Sequence, residues 1–182
     1  MISIRKADFS DVKVLKQLAD VLVPNTFKSV LNTSQIDFML DKYYSQEALQ
    51  DAINSGKVYF IANLDGEGTA AVSVIQHGPD LFLMQKIYVE IKNQGKGVGT
   101  ALFNHVVEYV KENHPKPCTI ELLINKHNPG LDFYVKQGME KVRDTGLDMG
   151  DFFINEEVYS MKINGWILLR REFNNDICFV LA

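Results

Sequence analysis

Apolar and polar positions along the chain follow two periods, and segments of each kind alternate. The first segment, "ISIRKA", alternates apolar and polar residues as a half-buried strand does. Apolar residues then recur at helical spacing from Val12 to Leu18. Ser10 and Asp11 precede them and offer oxygens that can cap a helix. The N terminus is therefore predicted to be a strand followed by a helix.

Two more helices are predicted before the next strand. Ser34 and Asp37 form an S-x-x-D cap pattern before apolar residues that share one helical face. A third short helix is predicted to begin at Ser45 and to end at Gly56. All three helices fall in the first third of the chain.

The rest of the chain predicts six strands and two helices. Turns at "DGEG" and "HGPD" divide 58–90 into strands 58–64, 69–76 and 81–90, and such short turns imply antiparallel pairing. A long helix follows from Val98 to the prolines of "NHPKP", and "CTIELLIN" is the next strand. A short helix near Asn128 ends at Gly138, before strands around 140–143 and 152–162. This alternation favours one mixed α/β domain.

Composition narrows the class of protein. The chain has 182 residues, of which 46% are hydrophobic, which suits a single domain. Its net charge of -4 argues against binding to nucleic acid. No leader or long apolar run is evident, so we predict a cytoplasmic protein with no membrane partner. Cys118, Cys178 and the histidines lack metal-ligand spacing, so no metal is expected.

The stretch "NQGKGVGTALFNHVVEYV" carries the most specific chemical signal. Its three glycines directly precede a helical pattern, which suits either an ordinary turn or a cradle for an anion at a helix N terminus. The chain has no G-x-x-x-x-G-K-[ST] motif and no G-x-G-x-x-G after its first strand. A nucleoside triphosphatase or a dinucleotide oxidoreductase is therefore disfavoured.

Two ordered motifs resemble the Gcn5-related N-acetyltransferase (GNAT) family. The Q-x-x-G-x-G pattern after "LMQKIYV" resembles the family's motif A. The segment "NPGLDFYVKQGM" resembles its later N-x-A-h-x-F-Y-x-x-x-G-F region, with Gly130 in place of Ala and Met139 in place of Phe. The likeness covers residues 1–162, and "TSQIDFMLDKYYSQEAL" and "DMGDFFINEEVYSMK" look like parts of bacterial polyamine-type acetyltransferases.

The resemblance implies a mixed, mostly antiparallel sheet flanked by helices, with acetyl-CoA entering where strands 4 and 5 splay apart. Backbone groups of Ile87, Tyr88 and Val89 would pair with the pantetheine arm. Asn128 and Lys136 would add polar contacts, although Asn128 also suits a helix cap and Lys136 a solvated surface. The pyrophosphate would be held by Gln94, Gly95, Lys96, Gly97, Val98, Gly99 and Thr100.

The resemblance also implies a mechanism, namely direct attack of an amine on the thioester without a metal. Tyr134 would protonate the departing thiolate, although a buried core tyrosine is the alternative. Gln85 stands where some relatives carry a glutamate base, and an amide cannot take up the proton. Glu121 is a candidate base, with a surface or salt-bridged glutamate as the alternative.

The acceptor is left open by the sequence. A small amine such as a polyamine is the leading hypothesis, and a peptide or protein amine or a catalytically weak CoA-binding regulatory module are the alternatives. An acidic rim is one interpretation of four carboxylates in the second and third helices, and solvated helix faces are the other. These carboxylates belong to Asp37, Asp41, Glu47 and Asp51.

The chain continues beyond the family-like region as a C-terminal extension, residues 163–182. Two apolar runs there flank "NND", as in a hairpin that would need cover from the core or a second subunit. Homodimerisation through this extension is our hypothesis. Truncation after Asn164 should then lower the solution mass of the assembly.

Overall fold

The computed structural model describes residues 1–150 and 152–164, so the predicted hairpin in the extension lies outside the described residues. Over the described part the chain alternates strands and helices, as predicted. The strands are β1 (Ile2–Lys6), β2 (Val58–Leu64), β3 (Glu67–Gly78), β4 (Leu81–Val89), β5 (Cys118–Asn125), β6 (Glu140–Asp148) and β7 (Phe153–Ile163). The helices are α1 (Val12–Phe27), α2 (Thr33–Tyr44), α3 (Gln46–Asn54), α4 (Val98–Asn113) and α5 (Leu131–Lys136).

The strands form one seven-stranded sheet in the order β1-β2-β3-β4-β5-β7-β6. Each neighbouring pair is antiparallel except β4 and β5, which are parallel. Helix α4 provides the crossover that a parallel pair needs. The mixed, mostly antiparallel sheet flanked by helices confirms the predicted fold class.

Apolar side chains fill both faces of the sheet because alternate residues of a strand point to opposite sides. On one face, α4 and α5 pack on the sheet through residues such as Leu102 and Tyr134. On the other face, α1 and α3 pack through residues such as Leu15 and Leu49, and α2 adds Ile36 and Met39. The sheet is therefore the middle of three layers.

Several element boundaries differ from those predicted. Asn32, rather than Ser34, caps α2, because its side chain accepts from Gln35 N and the Gln35 side chain bonds back. Asp11 is the N-cap of α1, within the predicted pair, but it makes no side-chain cap bond there. Asp8 forms a capping box with the 3-10 turn that precedes α1. At Asp8 and Asn32 the backbone is still extended and the first helical amides are within reach.

Candidate active site

The central feature is the separation of β4 from β5. Pairing between them runs only from Leu81↔Thr119 to Met84↔Leu122. Beyond that point β4 continues to Val89 and β5 continues to Asn125 without pairing to each other. The predicted splay between strands 4 and 5 is therefore present, and we call the space between these strand ends the β4/β5 gap.

A β-bulge in β4 accompanies the splay. Ala71 pairs with Tyr88 and Ser73 with Gln85, so β4 uses one residue more than β3 over this interval. The Ser73 hydroxyl donates to the Gln85 carbonyl at 3.1 Å and fixes the bulge from the β3 side. Because bulges bend the strand that carries them, this one turns the end of β4 away from β5.

The side chains of the last residues of β4 pack on opposite faces of the sheet. Ile87 and Val89 pack into the core beside α4, whereas Tyr88 packs on the opposite face with residues of α1, α2 and α3. The Tyr88 hydroxyl lies 2.7 Å from the hydroxyl of Tyr44 at the end of α2. Burial raises the pKa of Tyr88 to about 12. The side chains are thus committed to the protein interior, which leaves the backbone of β4 to line the gap.

The glycine loop leads from β4 into α4. Gly95 and Gly97 have φ angles of 76° and 83°, which other residues adopt only with strain. Gly97 is the N-cap of α4 and makes no side-chain cap bond, and the Ala101 amide bonds back to its carbonyl at 2.9 Å. The amides before Ala101 have no partner within the helix by geometry, so they form a ready site for an anion.

Hydrogen bonds between polar side chains hold this loop, and the sequence did not predict them. Lys96 Nζ donates to Asn93 Oδ1 at 3.2 Å, and Asn93 Nδ2 donates to Glu90 Oε2 at 3.0 Å. Asn93 is buried, so its amide is held in place and positions the Lys96 side chain. Gln94 Nε2 donates to the Val89 carbonyl at 3.2 Å and ties the loop to the end of β4. The spacing of three residues in Glu90, Asn93 and Lys96 is the only sequence signal for this network.

The remaining loop residues divide between packing and exposure. The Val98 side chain is buried in the core, so only its backbone can meet a ligand. An added Cβ on Gly99 would lie 3.6 Å from the Phe133 ring and 3.8 Å from Val89 Cγ2, so Gly99 marks the close approach of α4 to α5 and β4. Thr100 is exposed in the first turn of α4. The loop therefore offers backbone amides, Lys96 and the Thr100 hydroxyl.

Helix α5 places Tyr134 beside the core. Its side chain is 7% exposed, and its ring lies 5.1 Å from that of Phe133 in an edge-on contact. Burial is the main cause that raises the pKa of Tyr134, and Tyr88 adds to it, so the hydroxyl stays protonated at neutral pH. Within the described residues the hydroxyl makes no hydrogen bond. It is a proton donor that no described acceptor uses.

Asn128 and Lys136 flank this helix. Asn128 Oδ1 accepts from the Gly130 amide at 2.8 Å, which closes a turn before the helix. Gly130 is the N-cap of α5 and has no side-chain cap bond, so Asn128 does not cap this helix. Helix α5 begins at Leu131, three residues later than predicted. Lys136 is exposed in the last turn of α5, as expected for a solvated lysine. Roles for either residue toward a ligand stay predictions.

The structure gives Glu121 a partner. Both its carboxylate oxygens accept from the Arg143 guanidinium, each at 2.7 Å. That hydrogen bonding holds the pKa of Glu121 below its usual value, although burial opposes it. The salt-bridged alternative is therefore correct, and the buried carboxylate is a poor candidate for the catalytic base.

The surrounding features add little chemistry. The four carboxylates of the second and third helices, Asp37, Asp41, Glu47 and Asp51, are all exposed. Among the described residues, no three His, Cys, Asp or Glu side chains are grouped so as to hold a metal ion. Across residues 1–150 and 152–164, no helix has the length and apolarity needed to cross a membrane.

A sheet split between two parallel strands, with an anion-binding helix start at the split, defines a class of acyl-transferring enzymes. Residues 16–155 match the model of the acetyltransferase (GNAT) domain, and the chain belongs to that family. The protein is accordingly an acetyl-CoA-dependent N-acyltransferase, as the two motifs predicted.

Solved structures share the fold at low sequence identity. The PaiA N-acetyltransferase of Thermoplasma acidophilum, solved with coenzyme A, is 20% identical, with a TM-score of 0.77 over 90% of this chain and 99% of that chain. A Gcn5-related N-acetyltransferase of Rhodopseudomonas palustris is 16% identical, with a TM-score of 0.71 over 88% and 95%. The ribosomal-protein-S18-alanine N-acetyltransferase of Escherichia coli is 14% identical, with a TM-score of 0.68 over 90% and 95%.

Proposed function

We propose that the protein transfers the acetyl group of acetyl-CoA to a small primary amine, with polyamines among the acceptors. The observation that carries the proposal is the β4/β5 gap, which has the glycine loop at one end and Tyr134 beside it. The residues fit the donor. The backbone of Ile87, Tyr88 and Val89 lines the gap, and the amides from Gly95 to Thr100 suit a pyrophosphate.

A small acceptor is favoured by the way α2 crosses the gap on the face opposite α4. Tyr44, at the end of α2, bonds to Tyr88 of β4. Met39, earlier in the same helix, packs against Met149 and Ile154 at the β6–β7 hairpin. Helix α2 therefore bridges from β4 to β7, across the strand ends that separate. A covered entrance suits a short amine better than a folded polypeptide.

Charge supports a cationic acceptor. Asp37 and Asp41 lie exposed on α2, the helix that crosses the gap, and the chain has a net charge of -4. Carboxylates at an entrance raise the local concentration of a cation. The alanine N-acetyltransferase of Escherichia coli provides the competing model, a peptide amine as acceptor.

In the proposed reaction the amine nitrogen attacks the thioester carbonyl and forms a C–N bond. The C–S bond then breaks. Backbone groups in the bulged part of β4 hold and polarise the carbonyl. Tyr134 donates its proton to the departing thiolate, which its protonated hydroxyl suits. Holding both substrates in one gap lowers the entropic barrier.

Thiol release from acetyl-CoA tests this proposal, with an acceptor panel of spermidine, spermine, putrescine, an aminoglycoside and a peptide with an N-terminal alanine. Calorimetry should measure CoA binding in parallel. We expect amine-dependent release that is fastest with a polyamine. Faster turnover of the peptide would replace the small-amine proposal. Tight CoA binding without release would indicate a regulatory CoA-binding module, and loss of both would refute the assignment of the gap.

A further inference from the structure

Glu156 on β7 is a carboxylate whose position is set by its two neighbouring strands. It pairs with Asn125, the last residue of β5, and with Thr145 of β6. The end of β5 forms one wall of the β4/β5 gap, so Glu156 lies one strand behind that wall at the same level. Neither the glycine-loop motif nor the "NPGLDFYVKQGM" motif includes it.

The face on which Glu156 lies follows from the alternation along β7. Ile154, two residues earlier, packs under α2, whereas Tyr159 packs on the opposite face beside α4. Glu156 therefore shares the face of Ile154, which is also the face of Tyr88. Tyr134 belongs to the other face. The gap thus has a proton donor on one side of the sheet and a carboxylate on the other.

The carboxylate is close enough to the opposite wall of the gap for its charge to act on the Tyr88 hydroxyl. That charge contributes, after burial, to the raised pKa of Tyr88. The intervening Asn125 is committed elsewhere, because its amide donates to the Asn155 carbonyl at 2.8 Å and accepts from the His127 amide at 2.9 Å. Nothing in the side chain of Asn125 satisfies Glu156.

Glu156 is half-buried and differs from the nearby acids Glu121 and Glu157 in having no partner among the described residues. Glu121 is bonded to Arg143, and the adjacent Glu157 is 2.6 Å from Lys141 Nζ. Among the described residues, Glu156 has neither an ion pair nor a hydrogen bond, and burial alone raises its pKa. Burying a charge without a partner is costly, and such carboxylates concentrate at functional sites.

We propose that Glu156 is the general base that deprotonates the acceptor ammonium. This rests on the proposed function. The Glu156 carboxylate takes one proton from R–NH₃⁺, and the free amine then forms the C–N bond while the C–S bond breaks. The nitrogen loses a second proton as the amide forms, and the thiolate gains one from Tyr134. The second proton from the nitrogen replaces the one that Tyr134 has given. One proton is released overall, from Glu156 to solvent.

The groups around Glu156 are held in one charge state by burial or pairing. Tyr88 faces it from β4 with a pKa of about 12, and burial also raises the pKa of Tyr44, bonded to Tyr88 from α2, well above its usual value. Arg143 lies on the same face of β6, and its pairing with Glu121 raises the arginine pKa and lowers that of the glutamate. Among the described residues on this face, Glu156 is therefore the partly buried carboxylate without a partner.

The test is Glu156→Gln, which keeps the size of the side chain and removes the base. With the panel amine of highest kcat/KM as the probe, we expect kcat/KM at pH 7 to fall by about 100-fold, within the usual contribution of a general base. The deficit should shrink as the pH approaches the pKa of the amine, since the free base then forms in solution. A purely structural role would not give this pH dependence.

The matched control is Glu157→Gln, which removes the next carboxylate on the opposite face and should leave the pH profile unchanged. CoA affinity by calorimetry should match wild type in both variants, which shows that they fold. A Glu156→Gln enzyme with wild-type kcat/KM at pH 7, or with a deficit independent of pH, would overturn the proposal. A wild-type protein inactive on every amine would instead refute the proposed function on which it rests.

Discussion

The Arg143 guanidinium on β6 donates two hydrogen bonds to the Glu121 carboxylate on β5, although β7 lies between their strands. The glutamate is 8% exposed, whereas the arginine side chain is 54% exposed. The buried Glu121 carboxylate is therefore paired with an arginine whose side chain lies at the surface. It joins β5, one wall of the gap, to the sheet edge and removes Glu121 from proton transfer.

Arg143→Met should destabilise the fold by about 1–3 kcal/mol at pH 7, because it leaves the Glu121 carboxylate buried without its donors. The pairing lowers the pKa of Glu121, so its stabilisation is complete above the unfolded pKa and is lost as the pH falls through the folded pKa. The difference between variant and wild type should thus shrink as the pH falls below the unfolded pKa of about 4.3. Urea unfolding at pH 7 and at a series of lower pH values measures it.

Lys111→Met provides the control for that measurement, because Lys111 pairs with Glu108 on the surface of α4. Its effect should stay below about 1 kcal/mol, as for other exposed pairs. Equal losses in both variants would contradict the distinction. A Glu121→Gln variant that folds and binds CoA but loses turnover would restore Glu121 as the base.

Gly95→Ala tests the loop as an anion cradle. An alanine at the positive φ of Gly95 should cost about 1–2 kcal/mol of stability. Any shift of the backbone toward negative φ turns the amides away from the ligand, so we also expect CoA affinity to fall by roughly tenfold, equivalent to about 1.4 kcal/mol. Urea unfolding and calorimetry give the two quantities.

Gly56→Ala separates strain from ligand binding. Gly56 has a φ of 90° at the end of α3, and a Cβ there would also meet nothing within 4 Å. We expect a similar loss of stability with CoA affinity unchanged. If both variants lose the same affinity, the effect comes from global destabilisation and not from the loop.

Tyr134→Phe should lower kcat by about 100-fold while CoA affinity is retained, because only the proton donor to the thiolate is removed. Burial keeps this hydroxyl protonated, so the loss should not depend on pH across the neutral range. Tyr109→Phe is the control and should keep wild-type turnover, because Tyr109 is half-buried near the end of α4 with its ring against Phe60. Unchanged turnover in Tyr134→Phe would remove this tyrosine from the mechanism.

The elements and the loop could be predicted from the sequence because their signals are local. Apolar residues recur at helical spacing over 102–110, and glycines directly precede them. This short stretch of sequence is enough to predict a helix whose N terminus suits an anion. Helix starts are predicted less accurately because several polar residues near each start can serve as the N-cap. Helix α2, for example, begins after Asn32 rather than Ser34. Strand β6 extends to Asp148 because Gly146 leaves room for the cross-strand Phe153 ring, a pairing that its polar sequence does not indicate.

The roles of the acids could not be predicted, because they depend on contacts distant in sequence. Glu121 looks like any strand glutamate until β6 brings Arg143 beside it. Glu156 and Glu157 are adjacent and identical in type, yet one faces α2 without a partner and the other pairs with Lys141. The register of β7 against β5 makes this distinction, and no periodicity within "NEEVYS" contains it.

Glu156→Gln also gives a readout that is independent of activity. Because burial raises the folded-state pKa of Glu156, the native protein binds more protons than the unfolded chain, and stability falls as pH rises from the unfolded pKa of about 4.3 through the folded value. The variant should therefore be more stable than wild type at pH 7, and the advantage should vanish below pH ~4. An advantage that persists at low pH would mean that ionisation of Glu156 is not its cause.

Tyr59→Phe concerns a hydroxyl for which the described residues provide no partner. Tyr59 is 3% exposed, and its hydroxyl is buried beside a cavity of about 20 Å³ under α1. Removing it should leave the free energy of unfolding unchanged or raise it by up to ~1 kcal/mol, because a buried polar group without a partner is itself a cost. Tyr44→Phe, which deprives Tyr88 of its 2.7 Å contact, should instead cost about 1–3 kcal/mol. A loss of that size in Tyr59→Phe would show that its hydroxyl is bonded, and a cavity of this volume can hold one water to which it would bond.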